Sequence, residues 1–232
     1  MKNKLNLKAL TFDTGGTILD WHKGFKKAFE EVKKNNLYNY KCSELANEFR
    51  RISLEKITKQ DGRELINFDQ AHWYAIDELS KSRNIAFTDK EKQHISMHAP
   101  SNLKVWDDFK EPYEVLRQKY FCISFTLLSN RLVYLNSKKN QINWDLILSC
   151  ESLEIYKPNI EAYLKVAKLL QIPPENCGMV ACHSFDLNAA KSAGFKTIFV
   201  KRTKEWGEDT KIHIDGDYDL VVDSFTELTR IL

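Results

Sequence analysis

Asp13 follows a short apolar, partly β-branched run, Ala9 Leu10 Thr11 Phe12, which reads as a buried strand. An acid at the carboxyl end of such a strand is placed to react, because ligands of open α/β sheets gather outside those ends. Gly15 and Gly16 let the backbone turn tightly and approach a ligand, and the Thr17 hydroxyl can bond back to the carboxylate. Three further runs end in the same way. Phe121 to Leu128 leads into Ser129 Asn130, Asp145 to Ser149 is followed by Ile155 Tyr156 Lys157 Pro158, and Cys177 to Cys182 runs into His183 Ser184 Phe185 Asp186. Pro158 keeps Lys157 out of helical conformation, so the lysine is expected in a loop before the helix of Ile160, Tyr163, Leu164 and Ala167.

These side chains need a scaffold that brings strand ends together. Strands alternating with helices imply right-handed βαβ units, hence an α/β fold with a Rossmann-like parallel sheet. Further elements are a helix from Leu187 to Ala193, strands at Thr197–Val200 and Tyr218–Val222, and a last helix capped by Ser224 with Glu227. Between residues 20 and 99 the texture differs: no proline, two glycines, and apolar stripes at helical spacing. The stripes are Phe25, Ala28, Phe29 and Val32, then Leu45, Phe49, Ile52 and Ile57, then Phe68, Ala71, Ala75, Ile76 and Leu79. Thr88 with Glu91 makes a capping box. The expected organisation is a core of residues 1–19 and 100–232 carrying an inserted helical cap, 20–99. Of the adjacent Arg50 and Arg51, one is expected to point toward whatever the insertion covers.

Composition narrows the function. Of 232 residues, 35 are Lys or Arg and 32 Asp or Glu; that balance of +3 is scattered along the chain and is no nucleic-acid footprint. No apolar run is long enough to span a membrane, and Met1 Lys2 Asn3 Lys4 lacks the apolar region of a signal peptide, so a soluble cytoplasmic enzyme is expected. The cysteines, Cys42, Cys122, Cys150, Cys177 and Cys182, form no CxxC pair and read as reduced, mostly buried residues, with neither disulfide nor zinc site assigned. His94 and His98 share a helix face, yet Ile95 stands where a metalloprotease needs Glu, so both read as exposed.

Taken in order, with a helical insertion after the first acid, these motifs resemble the haloacid dehalogenase superfamily over essentially the whole chain. Phe12 to Thr17 looks like its nucleophile loop, Leu128 Ser129 Asn130 its second motif, Tyr156 Lys157 Pro158 its lysine motif, and Ala181 to Asp186 its acidic fourth motif. Within the superfamily, the Ser129 Asn130 pair and Tyr163 six residues after Lys157 are most similar to the type II 2-haloacid dehalogenases. So are His183 to Leu187 with Ala189 Ala190, and Lys201 Arg202 ending in Glu205 Trp206 Gly207. Glu48 Phe49 Arg50 resembles their aromatic-Arg pair. The chain departs from many members at Gly15, usually aromatic, and at His183, usually Asn.

The resemblance implies displacement of halide from carbon 2 of a 2-haloalkanoic acid by the Asp13 carboxylate, then hydrolysis of the aspartyl ester. Lys157 would keep Asp13 ionised, and Asp186 with His183 would orient or deprotonate water. Arg50 would supply positive charge at the halide or substrate carboxylate, which Ser129 and Asn130 would hold, with the Tyr163 hydroxyl at the rim. Candidate catalytic residues are therefore Asp13, Thr17, Arg50, Lys157, His183 and Asp186; candidate substrate contacts are Gly15, Ser129, Asn130 and Tyr163. No metal or cofactor is expected. The partner is a small carboxylic acid, with a homodimer possible and neither nucleic acid nor membrane involved. Superfamily phosphatases carry a second Asp two residues past the nucleophile as acid for the leaving alcohol; Gly15 removes that donor, which a halide does not need. A phosphonate carbon–phosphorus hydrolase using Mg²⁺ and a lysine of the insertion, and a non-catalytic binding module, are the alternatives.

Overall fold

The structure is a computed structural model that describes residues 5–34, 38–60, 64–208 and 212–232. The Met1–Lys4 start and Gly62 lie outside these residues. Six parallel strands form one sheet: β1 (Ala9–Phe12), β4 (Phe121–Thr126), β5 (Leu146–Ser149), β6 (Cys177–Ala181), β7 (Lys196–Val200) and β8 (Leu220–Val222). Their order is β5-β4-β1-β6-β7-β8, which puts β1 between β4 and β6 in the middle. A two-stranded ribbon, β2 (Leu19–Asp20) with β3 (Lys104–Val105), joins the chain where it leaves for the helical insertion and where it returns.

Both faces of the sheet are buried, as parallel strands require. Side chains alternate along each strand. Ala9, Ile123, Phe125 and Met179 pack into one apolar cluster, whereas Leu10, Phe12, Cys122 and Val180 pack into the other, with Phe109, Tyr113 and Phe225. The first cluster runs on without a break into the insertion, whose helices are α1 (Trp21–Lys34), α2 (Cys42–Thr58), α3 (Phe68–Ser82) and α4 (Asp89–Gln93). Phe25, Phe29, Phe49, Phe68 and Leu79, all from the helical stripes, are buried there. Thr88 and Glu91 form the expected capping box of α4. Around the sheet lie α5 (Lys110–Leu116), α6 (Asn130–Asn140), α7 (Cys150–Leu153), α8 (Ile160–Leu170), α9 (Ser184–Ser192) and α10 (Phe225–Ile231).

Two details differ from expectation. Helix α9 begins at Ser184 rather than Leu187, so Asp186 stands in its first turn, where the helix dipole favours an anion. His94 to His98 is a turn of π-helix, with His98 exposed but His94 half-buried and bonded through Nε2 to Glu31 at 2.9 Å. Cys122, Cys150 and Cys177 are buried thiols, and no described helix is long and apolar enough to cross a membrane.

Candidate active site

The central strand carries Asp13 to the carboxyl edge of the sheet, where its amide adds one more rung by donating to the Val180 carbonyl at 3.0 Å. The chain then folds back on itself: the amides of Ile18 and Leu19 both return to the Thr14 carbonyl. This turn aims the Thr17 hydroxyl at Asp13 Oδ2, 2.8 Å away, while the Cys182 amide donates to the same hydroxyl at 3.0 Å. The glycines serve the protein's own side chains. Gly16 has φ +97°, and a Cβ there would lie 2.3 Å from Glu205 Oε1. A Cβ at Gly15 would meet Arg50 Nη2 at 3.3 Å.

Lys157, 1% exposed, reaches the sheet edge from the loop between α7 and α8. Its Nζ donates to Asp186 Oδ2 at 2.7 Å and to the Phe125 carbonyl at 2.8 Å, and lies 3.7 Å from Asp13 Oδ1. Burial disfavours the ammonium, but the Asp186 and Asp13 charges outweigh it and raise its pKa. Burial likewise disfavours the Asp13 anion, yet Lys157 and then His183 hold its carboxyl well below the usual range. Asp186 shifts the other way: burial, helped by the Asp13 charge, pushes it up against the pull of Lys157. Asp13 is therefore the member of the pair kept as a free anion.

His183 lies on the other side of Asp13, with Nδ1 3.1 Å from Asp13 Oδ2 and Nε2 2.8 Å from Glu205 Oε1. Burial works against its cation, but Cys182, Glu205 and Asp13 raise it well above the ordinary imidazole range. An imidazolium donates from both nitrogens, which suits a ring set between two carboxylates. Glu205 is itself pinned by the Trp21 indole N–H at 2.9 Å. Burial pushes its carboxyl up, but His183 and Trp21 bring it below the usual value. Sequence reasoning gave this acid no role, although it stands just beyond the carboxyl end of β7, the position that singled out Asp13.

The insertion closes the site from above. Arg50, on α2, is 4% exposed; its guanidinium lies 5.5 Å from the Trp21 ring and 5.4 Å from the Phe68 ring. Nη2 makes one long bond to the Gly15 carbonyl, 3.4 Å, and the buried Nε has no partner. Arg51 is exposed. The space between is lined by Asp13, Gly15, Arg50, Phe68, Leu127 and His183 and is about 10 Å³, the room of about one water. A larger hollow of about 790 Å³ borders His22, Ser43 and Trp106 and touches none of these groups.

Three expected substrate contacts are turned to partners within the protein. Ser129 Oγ donates to Asp69 of α3 at 2.7 Å and accepts from the Leu132 amide, so it caps α6 and ties that helix to the insertion. Asn130 donates from its amide and side chain to Glu151, at 2.7 and 2.9 Å, and accepts from Ser152. Tyr163 is not at the rim: it is fully buried, and its hydroxyl donates to Asp186 Oδ1 at 2.6 Å. With Lys157 on Oδ2, each oxygen of Asp186 thus has a short bond. All three corrections share a cause, since local sequence shows neither which way a helix start faces nor what packs against it.

Among the described residues one group of donors could hold a metal ion, Cys182, His183 and Glu205, whose ligand atoms lie within 4.8 Å of one another. Asp13 and Asp186 are instead bridged by the Lys157 ammonium, 3.7 Å from Asp13 Oδ1 and 2.7 Å from Asp186 Oδ2.

Known proteins point the same way as this geometry. The (S)-2-haloacid dehalogenase of Pseudomonas putida is 26% identical over 207 residues, 85% of this chain and 86% of that protein. A protein of Caldanaerobacter subterraneus named "Putative pyrophosphatase PpaX" is 24% identical over 204 residues, 85% of this chain and 83% of its own. The crystal structure of a defluorinating L-2-haloacid dehalogenase superposes with a TM-score of 0.88 at 25% identity, covering 97% of this chain and 94% of that one. The sequence model of the haloacid dehalogenase-like hydrolases matches residues 10–200, more than half of the chain, and the protein belongs to that family.

Proposed function

We propose that this protein is a hydrolase of carbon–halogen bonds that converts a 2-haloalkanoic acid to the 2-hydroxy acid through an ester on Asp13. The observation that carries this reading is the opposition of an ionised Asp13 to the Arg50 guanidinium, whose Nε has no partner, across a closed cleft, with Gly15 where an alcohol leaving group would need an acid. Asp13 Oδ1 is the attacking oxygen, since Oδ2 is engaged by Thr17 and His183 while Oδ1 has only the longer Lys157 contact. Displacement forms the Oδ1–carbon bond and releases halide toward Arg50. Oδ2 is then the ester carbonyl, and the Thr17 and His183 donors stand where its negative charge grows when water attacks. Asp186, raised by burial, takes the water's proton; Tyr163 and Glu205 hold their neighbours in place. A cleft with room for about one water admits substrate only after the helices part from the sheet, which favours a small acid. A cytoplasmic location and a homodimer belong to the same reading.

Phosphoryl transfer is the second reading, favoured by the relative named as a pyrophosphatase. It would need a Mg²⁺ near Asp13 and Asp186, but both Asp186 oxygens already accept short bonds. One experiment separates the two. With EDTA present and enzyme in excess, (S)-2-chloropropionate in H₂¹⁸O should release chloride, give unlabelled lactate in the first turnover, and leave ¹⁸O in the Asp13 peptide. Asp13→Asn should release none, a neutral amide being too poor a nucleophile. Label in the first lactate would sink the ester route, and phosphate release that depends on Mg²⁺ without any chloride release would replace the reading altogether.

A further inference from the structure

Beside the nucleophile a hollow of about 400 Å³ opens between the start of α9 and the segment 202–206, lined by Cys182, His183, Arg202, Glu205, Trp206 and His213. The hydrolysis proposed above uses neither this hollow nor the Cys182 thiol. Cys182 Sγ lies 3.5 Å from His183 Nε2 and 3.7 Å from Glu205 Oε2. A tetrahedral Zn²⁺ with bonds of ~2.3 Å to sulfur and ~2.0–2.1 Å to nitrogen and oxygen holds those ligand atoms about 3.6 Å apart. The two separations from sulfur thus already match such a site, and all three donors border the hollow.

We propose that Cys182, His183 and Glu205 form a binding site for a thiophilic divalent cation of the Zn²⁺ type, entered through this hollow and sharing His183 with the substrate cleft. The supports of the ligands are those of a metal site: His183 Nδ1 faces the Asp13 carboxylate, and Glu205 Oε1 accepts from the Trp21 indole. Glu205 Oε2 is left for the ion. Binding exchanges the His183 Nε2 hydrogen bond to Glu205 for a metal bond and releases two protons to solvent, one from Nε2 of the His183 imidazolium and one from the Cys182 thiol. The mix of thiolate, imidazole and carboxylate selects a Zn²⁺-like ion over Mg²⁺, which prefers oxygen alone. A bound ion holds His183 with its remaining proton on Nδ1, toward Asp13, and so links cation occupancy to the state of the nucleophile.

Co²⁺ serves as the probe, because a Co²⁺–thiolate bond absorbs in the near ultraviolet. Titration of the full chain should develop this band with one equivalent of Co²⁺, and Zn²⁺ should bleach it. Cys182→Ser, a one-atom change that leaves the amide hydrogen bond to Thr17 in place, should abolish the band while the far-ultraviolet circular dichroism stays that of the parent. Glu205→Gln should weaken binding at least tenfold, and Cys42→Ser, remote from the site, should change nothing. Absence of the band at millimolar Co²⁺, or its persistence in Cys182→Ser, would overturn the site. Absorbance reads occupancy directly, so the result stands whatever the protein's substrate.

Discussion

On the sheet side of the cleft the charged groups of Asp13, Lys157, Asp186, His183 and Glu205 all have partners within the protein. On the helical side the Arg50 Nε and both ring nitrogens of His72 are buried without any. His72 lies among Phe25, Phe49 and Phe68, its ring 4.5 Å from that of Phe68. Burial, with Arg50 nearby, pushes its pKa down to about 3, so it is neutral. The contrast separates two tasks. The sheet side is organised before any ligand arrives, its charges balancing one another, as preorganised electrostatics requires. The insertion side keeps hydrogen-bonding capacity unspent, and a buried guanidinium with no carboxylate bonded to it and one nitrogen unsatisfied is a standing cost that an anionic substrate or leaving halide would relieve.

If that contrast is right, truncation on the two sides should have opposite signatures. The largest effect is expected for Lys157→Met, which leaves two buried carboxylates facing each other. Stability should fall by about 3–5 kcal/mol, measured by urea unfolding at pH 7, and chloride release should vanish with it. A variant as stable as the parent would mean that the sheet-side charges do not balance as described.

Arg50→Ala should do the reverse. Losing a charge aimed at the transition state lowers kcat/KM by roughly a hundredfold or more, from about 3 kcal/mol. Stability should change by only about 1 kcal/mol, since relief of the desolvated charge offsets the missing attraction to the Trp21 and Phe68 rings. Arg51→Ala, on the exposed face, should leave both unchanged. Equal losses of activity from the two arginines would remove Arg50 from the cleft.

The effect that is smallest at neutral pH shows itself in acid. The folded pKa of His72, about 3, lies below the unfolded value of 6.5, so the fold binds the proton less well than the unfolded chain. Its contribution to stability is full above 6.5 and is lost as pH falls toward 3, by at most about 1.4 kcal/mol per pH unit. His72→Phe should therefore flatten the acid limb of a Tm against pH profile while leaving the neutral region nearly level. An unchanged acid limb would show that His72 finds a partner in solution.

Much of this molecule is local pattern, and local pattern is what a sequence displays. The helical stripes, the turn glycines, the Thr88 capping box and the apolar runs ending in Asp13 and Cys182 depend on residues a few positions apart, so the α/β fold with its helical insertion was legible in the residues alone. Arg50 could be set apart from Arg51 only with the help of a family resemblance, since adjacent helical residues point in different directions. Tertiary structure decided the rest. The strand order places β1 beside β6, which brings Asp13, Lys157 and Asp186 from distant parts of the sequence into one chain of contacts. Close packing of the insertion turned Ser129 to Asp69, and the packing of α8 beside α9 sank Tyr163 against Asp186. Close packing likewise brought Glu205 to His183 through the gap that Gly16 leaves open. A side chain's partner across such distances is fixed by where whole strands and helices come to rest, and no window of neighbouring residues contains that information.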